Sequence, residues 1–166
     1  MLMNIFFIRN QPVLFMKSDQ ETMHQLETIL SRTVNAREAY KNASKNVHNK
    51  PLTVFFEDAA NKHDEFANQI KQKIQQMGGN TGDKTSLKSE ADRFWLDFAS
   101  IIVRRNESAI LKACARAEKD AIDQYNQALD MEQVEGSVRE EIRRQRDYAN
   151  DLLNEVDELL KQYSSD

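Results

Sequence analysis

Residues 110–129 read "ILKACARAEKDAIDQYNQAL". At spacings of three and four, Cys114, Ala117, Ala121 and Tyr125 form one apolar stripe, which predicts a core-facing α-helix. Glu118 falls on that stripe, beside Ala117 and a turn below Ala121. A carboxylate on a buried face is costly unless it is paired. The stretch therefore predicts both a helical bundle and a question inside it.

Working outward, the same periodicity recurs three more times. Helix A is expected to begin near Ser18 or Asp19, either of which can cap a first turn, with the seam Met23, Leu26, Leu30, Thr33, Ala36, Tyr40, Ala43, Val47. "HNKP" ends it, and Pro51 suits the first turn of helix B. Helix B carries Leu52, Phe56, Ala59, His63, Phe66, Ile70, Ile74 and Met77, and Gly78-Gly79 stops it. Asn106 caps helix C, which runs to about Met131. "EGS" at 135–137 turns the chain, and Ser137 caps helix D with the seam Val138, Ile142, Gln145, Ala149, Leu152, Val156, Leu159, Tyr163. Between B and C lie about 28 residues with a shorter amphipathic piece, in which Phe94, Trp95 and Phe98 are read as core under a crossover.

The expected architecture is all-α: a four-helix bundle of two antiparallel hairpins joined by a long crossover containing a short helix, the ferritin-like connectivity. Four Gly and two Pro in 166 residues fit that class. The expected division is an apolar, poorly ordered leader over 1–17 and one bundle over 18–166. Met3 and Met16 are further possible starts. "NAREAYKNA" (35–43) resembles "DAIDQYNQA" (120–128), as two related hairpins would, with Tyr40 matching Tyr125.

The net charge of −4 argues against a nucleic-acid partner. "REEIRRQR" (139–146) reads as a solvated, salt-bridged face. The apolar run near the start is too short to span a bilayer, and weak peripheral anchoring through 1–16 is the remaining membrane reading. One cysteine, Cys114, excludes an intrachain disulfide and fits a cytoplasmic protein; it is read as a small buried hydrophobe. No Ser-His-Asp or Cys-His-Asn arrangement and no Gly-rich phosphate loop announces itself.

"AREAYKNAS", "FFEDAANKHDEFANQI…MGG", "FWLDF" and "ILKACARAEKDAIDQYNQAL", in that order, resemble a bacterial family of ferritin-like four-helix-bundle proteins that is known only as a domain of unknown function. The resemblance covers residues 22–162, and helix D departs from it most. It implies a scaffold with a di-iron ancestry. Such a cage takes one Glu from each of two helices and a Glu-x-x-His from each of the other two.

Against that pattern the cage positions here are Thr33, His63, Phe66, Glu118, Ala149 and Leu152, with Asn150 and Leu153 as neighbours. Glu118 survives and His63 is a displaced candidate, so no metal is expected. The alternative is iron or manganese on a metal-binding or ferroxidase-type protein. Glu21 and His24 form a Glu-x-x-His far from mid-bundle, and His48 falls in a loop.

Three readings of Glu118 stand: a relic paired across the core with His63, an off-centre carboxylate reaching water, or a ligand with His63 to a single divalent metal. Arg37 and Arg146 are the next basic candidates as partners. Thr33, as a vacated ligand position, is expected to bond back to a carbonyl of its preceding turn. The function expected is non-catalytic, through protein association, as a homodimer or with another protein and possibly in a stress response.

Overall fold

The computed structural model describes residues 11–81, 97–102 and 106–163, with backbone alone over 11–16. Its helices are α1 (Gln11–Asn46), α2 (Lys50–Gln76), α3 (97–102), α4 (Glu107–Asp130) and α5 (Gly136–Tyr163). No strand occurs among the described residues. Phe94, Trp95 and residues 1–10 lie outside them.

Local chemistry sets the helix ends. Asn49 Oδ1 accepts from the Leu52 amide at 3.1 Å, and Asn106 Oδ1 accepts from the Ala109 amide at 2.9 Å. α2 ends in paired bonds from Gly78 N to Gln75 O and from Gly79 N to Ile74 O, with Gly78 at φ 80. A side chain at Gly79 would strike Ile74 and Met23, so α1 passes close over this cap.

Two boundaries differ from the sequence reading. α1 is already helical at Gln11, the first described residue and seven before Ser18, so part of the expected leader is helical. No helix breaker lies between Pro12 and Met23. α5 starts at Gly136 rather than after Ser137.

α1 packs on α2 and α4, α4 packs on α5, and α2 meets α5 more sparingly. Gln25 bonds the Gln124 carbonyl while Tyr40 bonds Glu118, so α1 and α4 are antiparallel. Lys73 meets Ser137 while Phe66 meets Tyr148, so α2 and α5 are antiparallel too. One apolar cluster holds Tyr40, Phe56, Leu111 and Val156, with Phe98 of α3 packed into it as expected. A second holds Ile29, Ile70, Tyr125 and Ile142. In α1 the core residue is Ile29, while Leu30 and Met23 are only partly buried.

Arg139 departs from the solvated-face reading of 139–146. Its guanidinium donates to the carbonyls of Leu129, Val134 and Met131, closing the end of α4. Arg143, Arg144 and Arg146 make the expected surface pairs with Glu140, Glu141 and Asp147.

Candidate functional site

Among the described residues six polar or charged side chains are buried: Thr22, Thr33, Asn35, His63, Glu118 and Gln145. Four of them build two polar layers in the apolar core.

The first layer joins α1, α2 and α4. Tyr40 Oη donates to Glu118 Oε2 at 3.0 Å. His63 Nε2 lies 3.3 Å from Glu118 Oε1 and 3.2 Å from Oε2. His63 Nδ1 lies 2.8 Å from the Ala59 carbonyl of the preceding turn. His63 is 1% exposed and Glu118 is 0% exposed.

The hydrogen count follows from these contacts. The Ala59 carbonyl can only accept, so Nδ1 carries a hydrogen. Nε2 faces carboxylate oxygens, so a hydrogen bond there needs one proton between the two groups. Burial pushes the imidazole down, but the Glu118 charge and hydrogen bond, with the Ala59 carbonyl, outweigh it and raise the net value. Below that raised value His63 holds the proton, and the layer is then a desolvated ion pair with Tyr40 bonded to one carboxylate oxygen. Burial, then the Glu118 charge, holds the Tyr40 phenol well above its usual range. The same two causes raise the Cys114 thiol, which makes it unreactive.

The second layer reaches all four long helices. Thr33 Oγ1 lies 3.1 Å from Tyr125 Oη, and Tyr125 Oη donates to Gln145 Oε1 at 3.2 Å. Tyr125 spends its hydrogen on Gln145, so Thr33 donates to Tyr125. Gln145 Nε2 donates to Glu141 Oε1 at 2.6 Å and reaches the Phe66 carbonyl at 3.5 Å. Among the described residues no buried side-chain nitrogen or oxygen lacks a partner.

The two layers are counterparts. Tyr40 and Tyr125 are 85 residues apart, and so are Thr33 and Glu118. The bond from Tyr40 to Glu118 therefore repeats, with the halves exchanged, as the bond between Tyr125 and Thr33. In seam order the position matching His63 is the buried Ala149, which carries no polar side-chain atom, and Gln145, one turn earlier, supplies the partner instead.

The structure brings Glu118 and His63 together, and Arg37 and Arg146 are occupied elsewhere by Glu38, Asp64 and Asp147. Phe66, Ala149 and Leu152 are buried and apolar, with the Phe66 ring 6.1 Å from His63. Thr33 corrects the sequence reading: its hydroxyl reaches across to the buried phenol oxygen of Tyr125 on the neighbouring α4, not back to its own turn.

Glu21 bonds Gln133 at the bundle end, and His48 is exposed. Sequence reasoning missed the roles of Tyr40, Gln145 and Glu141. The available signals were a tyrosine on a seam, whose hydroxyl needs a buried partner, and Gln145 on the α5 seam.

Among the described residues no group of three or more His, Cys, Asp or Glu could hold a metal ion. Tyr148 closes the layer on the α2–α5 side. Its ring lies 5.2 Å from Phe66 and 6.3 Å from His63, and its phenol is pushed up to about 12 by burial and by Glu118 and other carboxylates. No described helix is long and apolar enough to cross a membrane.

The family model described as Domain of unknown function (DUF2383) matches residues 21–131. α5 lies beyond the match, in the part of the chain whose resemblance was weakest. No curated protein and no solved structure matches the chain.

Proposed function

The chain belongs to the DUF2383 family, and from that premise we propose that it is a non-catalytic bundle of ferritin-like connectivity that acts through protein association. The observation that carries this reading is the commitment of Glu118. Both oxygens are taken by Tyr40 and His63 in a closed core, so the carboxylate holds three helices together and is not free for chemistry. Thr33, Phe66, Ala149 and Leu152 fill the other positions where a di-metal cage would place ligands. The antiparallel neighbour pattern around the bundle supports the ferritin-like connectivity, and the single buried thiol fits a cytoplasmic setting.

A broad exposed apolar patch would support association, and the described surface does not offer one. Among the described residues the one exposed large hydrophobic is Val54, at 48% exposure.

The test is metal analysis of protein purified from cells supplemented with iron and manganese, run beside light scattering. The expected result is metal far below one ion per chain, with a mass above the 19.3 kDa chain. One or more iron or manganese ions per chain would replace this reading with the metal-binding one.

A further inference from the structure

The geometry points to a second copy of this chain as the partner, seated along the groove between α1 and α2. The inference rests on the association reading and gives it a surface.

The groove has a mainly basic wall, on which Glu38 is paired to Arg37, and a mainly acidic wall. Arg37, Lys41 and Lys45 rise along α1 at spacings of four, and Glu57, Asn61 and Asp64 line α2. Ala60 is buried beneath them, a small residue that lets another surface come close. At one end the walls are tied together by Arg37 Nη1 and Asp64 Oδ1, 2.9 Å apart. From that tie, Lys45 is eight residues away on α1 and Glu57 seven on α2, both toward the α1–α2 loop. At 1.5 Å per residue these are steps of about 12 and about 10 Å, so Lys45 and Glu57 stand at nearly one level. Both are exposed, and among the described residues neither forms an ion pair. Val54 continues the stripe of Glu57, Asn61 and Asp64 by one turn, so the exposed apolar residue is on the same wall.

These positions choose a symmetry. A twofold axis along the groove sets the α1 wall of one chain on the α2 wall of the other at equal level. Lys45 then meets Glu57 of the second copy, twice per dimer, and Lys41 meets Asn61. A twofold across the groove would set Lys45 and Glu57 over the cluster of Arg37, Glu38 and Asp64, whose charges already pair with one another, so neither would gain a free partner there. The charge pattern therefore favours the first arrangement over the second.

The test is a charge exchange. Wild-type protein at tens of micromolar is expected to show twice the 19.3 kDa chain mass by light scattering at low salt. It should fall toward one chain mass at about 1 M salt, where screening acts within about 3 Å. Lys45→Glu alone and Glu57→Lys alone should each weaken dimerisation at least about tenfold, since each puts like charges together at both contacts. An equimolar mixture of the two variants should recover the dimer, because the mixed pair has opposite charges at both contacts.

Both positions are exposed, so unchanged helicity by circular dichroism confirms folding. Variants that dimerise like wild type, or a mixture that stays monomeric, overturn this surface while association itself stands. A monomeric wild type overturns the second copy as occupant. The association reading falls separately, on the metal analysis.

Discussion

The two polar layers occupy corresponding places in the two halves of one chain and solve the same problem with different chemistry. Around Glu118 the solution is ionic: a carboxylate, an imidazolium anchored on a backbone carbonyl, and a phenol. Around Thr33 it is neutral: a hydroxyl, a phenol and an amide passing hydrogen bonds in one direction. Replacing Glu by Thr at one of two equivalent positions removes the need for a buried cation, and the matching helix carries Ala149 where the other carries His63. The comparison teaches that a buried charge dictates its neighbours more strictly than a buried hydroxyl does. Breaking a buried pair by removing one partner is strongly destabilising, whereas a neutral hydrogen bond is modest.

Perturbations of the ionic layer should therefore be the largest. His63→Ala leaves Glu118 buried with only Tyr40 and is expected to cost about 3–5 kcal/mol in urea unfolding. Removing both charges, with His63→Phe and Glu118→Leu, should recover much of that loss. If the double variant is as unstable as the single, the pair is not the source of the penalty.

In the neutral layer, Gln145→Leu takes the acceptor from Tyr125 and should cost about 1–3 kcal/mol by the same measurement. A cost equal to that of His63→Ala would erase the distinction between the layers.

A third prediction uses pH. The folded His63 value is raised above its ordinary value of about 6.5, so its stabilising contribution is fully present below that ordinary value. It is lost as pH rises through the raised folded value, because the folded state then surrenders a proton that the unfolded state has already released. Unfolding free energy should decline on the alkaline side of about pH 6.5, by at most about 1.4 kcal/mol per pH unit. The double variant should lack that decline, and a shared slope would remove His63 as its cause.

Thr33→Val should show the smallest effect, about 1 kcal/mol for one lost hydrogen bond. Combined with Tyr125→Phe it should be less than additive, because both remove the same contact. Full additivity would mean the two side chains do not interact.

The helical periods, the Asn106 cap, the Gly78-Gly79 stop and the pairing of Glu118 with His63 were all legible in the sequence. The first three depend on local spacing; the pairing, one of three readings of Glu118, rests on both residues falling on apolar seams. The direction of the Thr33 hydroxyl was not legible, because it depends on Tyr125, which folding brings over from another helix. Gln145 escaped notice for a related reason. A polar residue on a seam declares burial but does not name its partner. Arg139, too, reads as one more surface charge in a charged run until the chain turns and puts the end of α4 beneath it.

That guanidinium has a kinetic consequence. Helix ends ordinarily open with little free energy and let their amides exchange with solvent. Here the last turn of α4 cannot unwind without releasing a side chain rooted in α5, since one guanidinium holds carbonyls at Leu129 and Val134 on both sides of the turn. The fraying of one helix is thereby tied to the seating of the next. The α4–α5 junction should behave in deuterium exchange as one protected unit whose amides open together with the hairpin rather than singly from its tip.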